Sequence, residues 1–177
     1  MRRLILLRHA KSDWSEPGKA DLGRPLNPRG REAAALIGEY MVKHHLVPDR
    51  AVVSTAERTR ETYGLVAAAF KEPPKAAFDA RLYEAPPELL LDVIKETKRA
   101  IHTLLVIGHN PGLHALATLL IGTGDVDLRQ RIREKLPTGA LVAIDFVTDD
   151  WGEIRPGSGR LDRFVTPRSL VDAADTA

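Results

Sequence analysis

Apolar and polar positions along the chain change period several times. Residues 3–8 (RLILLR) form a short apolar run followed at once by polar residues, which suits a buried parallel strand better than a helix. Over 27–44 the period lengthens: Asn27 can cap, Pro28 fits a first turn, and Ala33, Leu36, Ile37, Tyr40 and Met41 recur at helical spacing. A second strand is predicted over 50–54. It leads into a helix over 55–70 with Thr62, Leu65, Val66, Ala69 and Phe70 as its buried stripe, ended by Pro73 and Pro74. Residues 76–83 read as extended, and 87–97 as a helix with Leu89, Leu90, Val93 and Ile94 on one face. A third strand over 103–107, an apolar helix over 113–121, a charged helix over 125–135 and a fourth strand over 140–146 follow. Residues 151–155 and 160–165 read as a closing hairpin about a turn at 156–159, before a mobile tail.

Strands alternating with amphipathic helices predict an α/β protein, a three-layer α/β/α sandwich with a mainly parallel central sheet. The expected organisation is a single domain over 1–166 with a C-terminal tail over 167–177. Ligands of such sheets gather at the C-terminal ends of the strands. There the chain places unusual polar residues three times: Arg8 and His9, Ser54 to Arg58, and His109 with Asn110.

Composition narrows the chemistry. At 177 residues, with 44% hydrophobic and 28% charged side chains, there is material for one sizeable core, and global disorder is excluded. Aromatics are only 5%, which argues against stacking on single-stranded nucleic acid, and a net charge of +2 is too small for a general polyanion-binding field. The first 60 residues nevertheless carry +5 and the remainder −3, so an anion would look to the N-terminal third. With no cysteine, disulfides, thiolate zinc sites and cysteine nucleophiles are impossible. The apolar run at Leu4–Leu7 is far too short to span a bilayer, so the expectation is a cytoplasmic protein with neither membrane nor nucleic acid as partner. No feature specifies an oligomeric state.

Arg8, Arg58 and His109, brought to one edge, would offer donors to a tetrahedral anion, with His9 facing its centre. The blocks LLRHAKSDW, RPLNPRG, STAERTRET, LYEAPPELL and IGHNPG, spread from residue 3 to about 120, resemble the histidine phosphatase superfamily, and specifically its SixA-type phosphohistidine phosphatase branch. The resemblance implies a phosphoglycerate mutase-like fold and a metal-independent phosphatase needing no cofactor. Its substrate would be a phosphorylated protein or a small phosphorylated molecule. It also implies a covalent mechanism: His9 attacks phosphorus, Arg8, Arg58 and His109 hold the phosphoryl oxygens, and water hydrolyses the phosphohistidine. An attacking imidazole must be neutral, and the arginines are expected to keep it so. Glu84 lies where larger members place an acidic donor, with Asp13 and Glu16 as competitors. Lys11, Ser12, Asp13 and Asn110 are candidates for substrate contact. Ala10 departs from the glycine that many members carry after the histidine, a change the SixA-type branch tolerates.

Plainer readings stand beside these. Taken alone, Arg8 and His9 are a surface ion-pair partner and a turn histidine. Arg60 decorates a solvated helix face, and His44 and His45 cap a helix end. His102, His109 and His114, spaced seven and five apart with no carboxylate cluster, make a poor metal set. The basic residues at 129–135 interleave with acidic ones, and Gly122 and Gly124 form only part of a dinucleotide fingerprint. A small-metabolite phosphatase or mutase of the same superfamily, or a noncatalytic phosphate-binding module, remain the alternative functions.

Overall fold

Strand β1 (Arg2–Arg8) runs through the middle of the sheet, the place its unbroken apolar run calls for, because a strand covered on both faces has no polar side. The computed structural model describes residues 1–176. Leu4 and Leu6 enter one core and Ile5 and Leu7 the other, all four fully buried, as the period-two alternation of a strand requires. Burying each such side chain contributes roughly 1.5–3 kcal/mol.

The other strands are β2 (Arg50–Val53), β3 (Lys75–Phe78), β4 (Thr103–Gly108), β5 (Ile121–Gly124), β6 (Leu141–Phe146) and β7 (Gly159–Val165). Their order is β3-β2-β4-β1-β6-β7-β5. The β1–β4, β2–β4, β2–β3 and β5–β7 pairs are parallel, while β6 is antiparallel to both β1 and β7, so β6 alone runs in the opposite direction. Helices α1 (Pro28–Lys43), α2 (Glu57–Ala67) and α6 (Pro167–Thr176) cover one face through Ile37, Met41, Val66 and Leu170. Helices α3 (Pro87–Lys95), α4 (Gly112–Leu120) and α5 (Val126–Glu134) cover the other through Leu90, Ile94, Leu116, Leu120 and Ile132. The predicted three-layer sandwich is the fold observed. Its local signals also hold at α1, where Asn27 Oδ1 accepts from the Gly30 amide at 2.8 Å with Pro28 in the first turn.

Four segments differ from the sequence reading. Residues 76–83 are extended only to Phe78, where β3 ends; Asp79 Oδ1 then accepts from the Arg81 amide at 2.9 Å and starts a single 3-10 turn, Ala80–Leu82. Residues 151–155 are not a hairpin arm. Asp150 Oδ1 accepts from the Gly152 amide at 2.9 Å and starts a single 3-10 turn, Trp151–Glu153, that drops Trp151 into the core, where its Nε1 donates to Ile101 O at 2.7 Å. The antiparallel partner of β7 is β6. Residues 121–124 are a strand, obscured in the sequence by two glycines in four positions. Residues 167–176, read as tail, form α6. Thr166 and Ser169 exchange hydrogen bonds between side chain and amide in both directions, at 3.0 and 3.1 Å, and Pro167 begins the helix.

Candidate active site

The end of β1 is pinned from three sides. His9 N donates to Gly108 O on β4 at 3.2 Å, Ala10 N donates to Thr62 Oγ1 on α2 at 3.1 Å, and Gly139 N bridges the carbonyls of Arg8 and His9 at 3.1 and 3.0 Å. Gly139 has φ 74°, a left-handed conformation suited to glycine, and a Cβ there would lie 2.7 Å from Pro167 Cγ. Thr62, expected only as part of a core stripe, therefore bridges helix and loop, since its hydroxyl also donates to Arg58 O at 2.7 Å.

His9 is 7% exposed, and its Nδ1 lies 2.7 Å from Ala10 O. A carbonyl can only accept, so Nδ1 carries the proton and Nε2 of the neutral ring keeps its lone pair. Burial pushes the ring's pKa down to about 3, against the Ala10 bond, with His109, Arg58 and Arg8 adding repulsion. The arginines assist as expected, but desolvation is the larger cause.

His109 stands at the end of β4 with Nε2 2.7 Å from Ser54 Oγ. The Ser54 hydroxyl has no other acceptor among the described residues, its remaining contact being one that it accepts from Ala56 N at 3.5 Å; with its proton given to Nε2 of the ring, Nδ1 of His109 is the protonated nitrogen. Burial, then Arg58, Arg8 and Arg24, lower its pKa to about 4, with Asp21 opposing. The His9 and His109 rings are 5.3 Å apart at 53°. Arg58, near the start of α2, donates through Nη1 to Asp21 O at 2.7 Å and through Nη2 to Asp21 Oδ2 at 3.1 Å. Arg8 donates through Nη1 to Leu136 O at 3.0 Å, and the same carbonyl accepts from Asn110 Nδ2 at 2.9 Å. Arg8 Nε, Arg58 Nε and His109 Nδ1 are buried donors with no partner in the protein. Donors left unmet among buried cations mark a place for an anion.

A cavity of about 630 Å³ opens beside them. Its polar lining is Asp21, Arg58, Tyr83, Glu84, His109 and Asn110, and Pro86, Pro87 and Pro111 supply apolar surface. Gly112 lets α4 begin against this wall, since a Cβ there would lie 2.0 Å from Ala85 O. Glu84 is exposed and sits at φ 54°, a left-handed conformation that costs a non-glycine residue roughly 1–3 kcal/mol.

Arg8, His9, Arg58 and His109 thus come together, and Glu84 and Asn110 line the adjoining cavity. Lys11, Ser12 and Asp13 do not line it. Lys11 is exposed, buried Ser12 accepts from Arg24 Nη1, and Asp13 Oδ1 accepts from Ser15 N at 2.8 Å within its own loop. Glu16 is exposed and pairs with Lys19 at 3.7 Å. Asp21 and Tyr83 were not anticipated. Asp21 gathers Arg58, Tyr83 Oη and, at 2.8 Å, Arg24 Nη2, and these donors hold its carboxyl below the usual range. Its only sequence signal is an acidic residue in the loop that follows His9. The three histidines weighed as a metal set are apart in function: Nδ1 of His102 meets Arg2 Nη1 at 3.0 Å, His114 meets Ile132 O, and His109 meets Ser54. Among the described residues no helix is long and apolar enough to cross a membrane.

A doubly covered sheet with a cluster of cationic donors at its strand ends defines a phosphate-handling α/β protein. Residues 4–86 match the model of the histidine phosphatase superfamily (branch 1). An uncharacterized protein of Mycobacterium tuberculosis is 37% identical over 164 residues, which cover 92% of this chain and 100% of that one. A candidate phosphohistidine phosphatase SixA from Agrobacterium tumefaciens superposes with a TM-score of 0.78 at 28% identity, over 94% of this chain and 99% of the other. The protein histidine phosphatase SixA complexed with tungstate shares the fold at a TM-score of 0.76 and 19% identity, over 95% and 99% of the two chains. The chain belongs to the histidine phosphatase superfamily, matches its SixA-type branch, and is a phosphatase.

Proposed function

We propose that the protein hydrolyses phosphohistidine on a protein partner through a covalent intermediate on His9. The observation that carries this reading is the pairing of an unprotonated His9 Nε2 with three unpartnered donors, Arg8 Nε, Arg58 Nε and His109 Nδ1. Nε2 attacks phosphorus, the bond from phosphorus to the leaving nitrogen breaks, and its electron pair departs with the leaving imidazole. The Nδ1 proton stays on His9 throughout, held by Ala10 O. Phosphorylated His9 is therefore an imidazolium, which departs as neutral histidine when water attacks, and that second step needs no proton donor for the ring. The guanidinium groups of Arg8 and Arg58 supply the positive charge that the phosphoryl oxygens require, so the reaction is expected to be metal-independent and to survive a chelator. The bound tungstate of the related SixA protein, a tetrahedral oxyanion, supports an anion site in this fold.

A second reading, a phosphomonoesterase, is favoured by one observation: Glu84 lines the cavity. An alkoxide leaves poorly without a proton, and Glu84 is then the donor. If so, Glu84→Gln lowers kcat on alkyl phosphates by about 10²- to 10⁴-fold while leaving phosphohistidine hydrolysis nearly unchanged. Steady-state rates on both substrates check this, and equal, negligible effects remove Glu84 from the chemistry.

A further inference from the structure

Asp21 has no place in the chemistry so far, yet it is the most heavily bonded carboxylate on the cavity wall. Arg24 Nη2 binds its Oδ1 at 2.8 Å, while Arg58 Nη2, at 3.1 Å, and Tyr83 Oη both bind Oδ2. An ionised carboxylate offers about four lone-pair directions, so these three donors leave one free on Oδ1. The side chain is 46% exposed and borders the same cavity as His109 and Glu84. Held ionised by its donors, Asp21 cannot give a proton to a leaving group. It can only accept a hydrogen bond from one.

We infer that Asp21 is a specificity residue that accepts a hydrogen bond from the distal nitrogen of the leaving imidazole and so selects phosphoramidates of imidazole over phosphate esters. This rests on the phosphohistidine reading above. An N-phosphorylated imidazole protonated on its distal nitrogen departs as neutral imidazole once the bond from phosphorus to nitrogen breaks. Without that proton it would have to depart as an anion. Asp21 thus stabilises on the substrate ring the same protonation that Ala10 O maintains on His9, and the two imidazoles exchange one phosphoryl group with a proton held on the far side of each. An alcohol or phenol offers no such N–H, and its developing oxyanion would meet a negative neighbour.

The test compares kcat/KM for phosphoimidazole and for an aryl phosphate, whose leaving group departs unprotonated, in the wild type, Asp21→Asn and Asp21→Glu. Because Asp21 also bonds Arg58, Asp21→Asn slows both substrates, but the ratio of phosphoimidazole to aryl phosphate is expected to fall about tenfold, the effect of one hydrogen bond to a charged group. Asp21→Glu restores much of that ratio. In the wild type the ratio declines as pH rises and the substrate ring loses its distal proton, and Asp21→Asn moves that decline to lower pH. The groups facing Asp21, namely Arg24, Arg58, Tyr83, Glu84 and His109, are unchanged in every variant. An unaltered ratio and pH profile in Asp21→Asn, with whatever loss of rate, reduces Asp21 to a brace for Arg58 and overturns the inference while leaving the phosphohistidine reading intact. A wild-type enzyme that hydrolyses the aryl phosphate but not phosphoimidazole overturns both.

Discussion

The two halves of the sheet contribute to the site in different currencies. On the parallel side, β2, β4 and β1 each end at the His9–His109 cluster, and what they or the turns after them deliver is side chains: Ser54 and Arg58, His109 and Asn110, Arg8 and His9. On the other side, β6, β7 and β5 deliver none of these groups. What this side contributes is backbone, from the segment between α5 and β6: Leu136 O accepts from both Arg8 and Asn110, and Gly139 N bridges the Arg8 and His9 carbonyls. The reversed direction of β6 explains this, because the segment entering β6, rather than the one leaving it, meets the C-terminal end of β1. Function can therefore be lost in two separable ways, by removing chemistry on one side or by loosening the support on the other.

The sharpest attempt to break that contrast is His9→Ala, which is expected to lower kcat by about 10⁴-fold or more with the fold intact. Arg58→Ala should cost roughly 10²- to 10³-fold, comparable to removing one transition-state donor. Single-turnover rates alongside thermal melts check both. A supporting-side substitution should do the reverse. Phe146, fully buried on β6, is expected to cost about 3–5 kcal/mol of stability on substitution by Ala, read from urea unfolding, with kcat of the folded fraction within about twofold. A large kcat loss there without destabilisation would dissolve the distinction.

The smallest effect concerns protonation. With His109 at about 4 and His9 at about 3, both rings stay neutral on lowering pH through the ordinary imidazole range, and His109 takes up its proton first. Both folded-state values lie below the ordinary 6.5, so the unfolded chain binds protons before the folded one. These rings therefore lower stability progressively as pH falls below about 6.5 and cost nothing above it. Imidazole NMR shifts followed from pH 8 downward check this, and a ring titrating near 6.5 would contradict the burial on which the argument for a neutral His9 depends.

Much of this was legible in the residues. Runs such as Leu4–Leu7 and capping residues such as Asn27 act over a few positions, so the elements they specify could be read locally. The chemistry-bearing strand ends were legible because Arg8, His9 and His109 close apolar runs, whereas Arg58, beyond the turn after β2, was legible only through its place in the STAERTRET block. What escaped depends on contacts between distant positions. Trp151 turns inward because Ile101 O is there to accept its N–H, fifty residues away. Asp21 meets Arg58 and Tyr83 only after α2 and the turn before α3 have packed. The glycines of β5 hide a strand that exists because β7 lies beside it. The cap at Thr166 and Pro167 was local and could have been read as the start of α6.

The central claim is that the phosphoryl group passes through His9. Rapid quenching during turnover of a phosphorylated substrate, followed by mass spectrometry of peptides kept alkaline, tests it most directly. The expected result is one phosphoryl group on His9, stable in alkali, lost in acid and absent from His9→Ala. Turnover with His9 unmodified at every time point, or a His9→Ala protein that remains fully active, would contradict it.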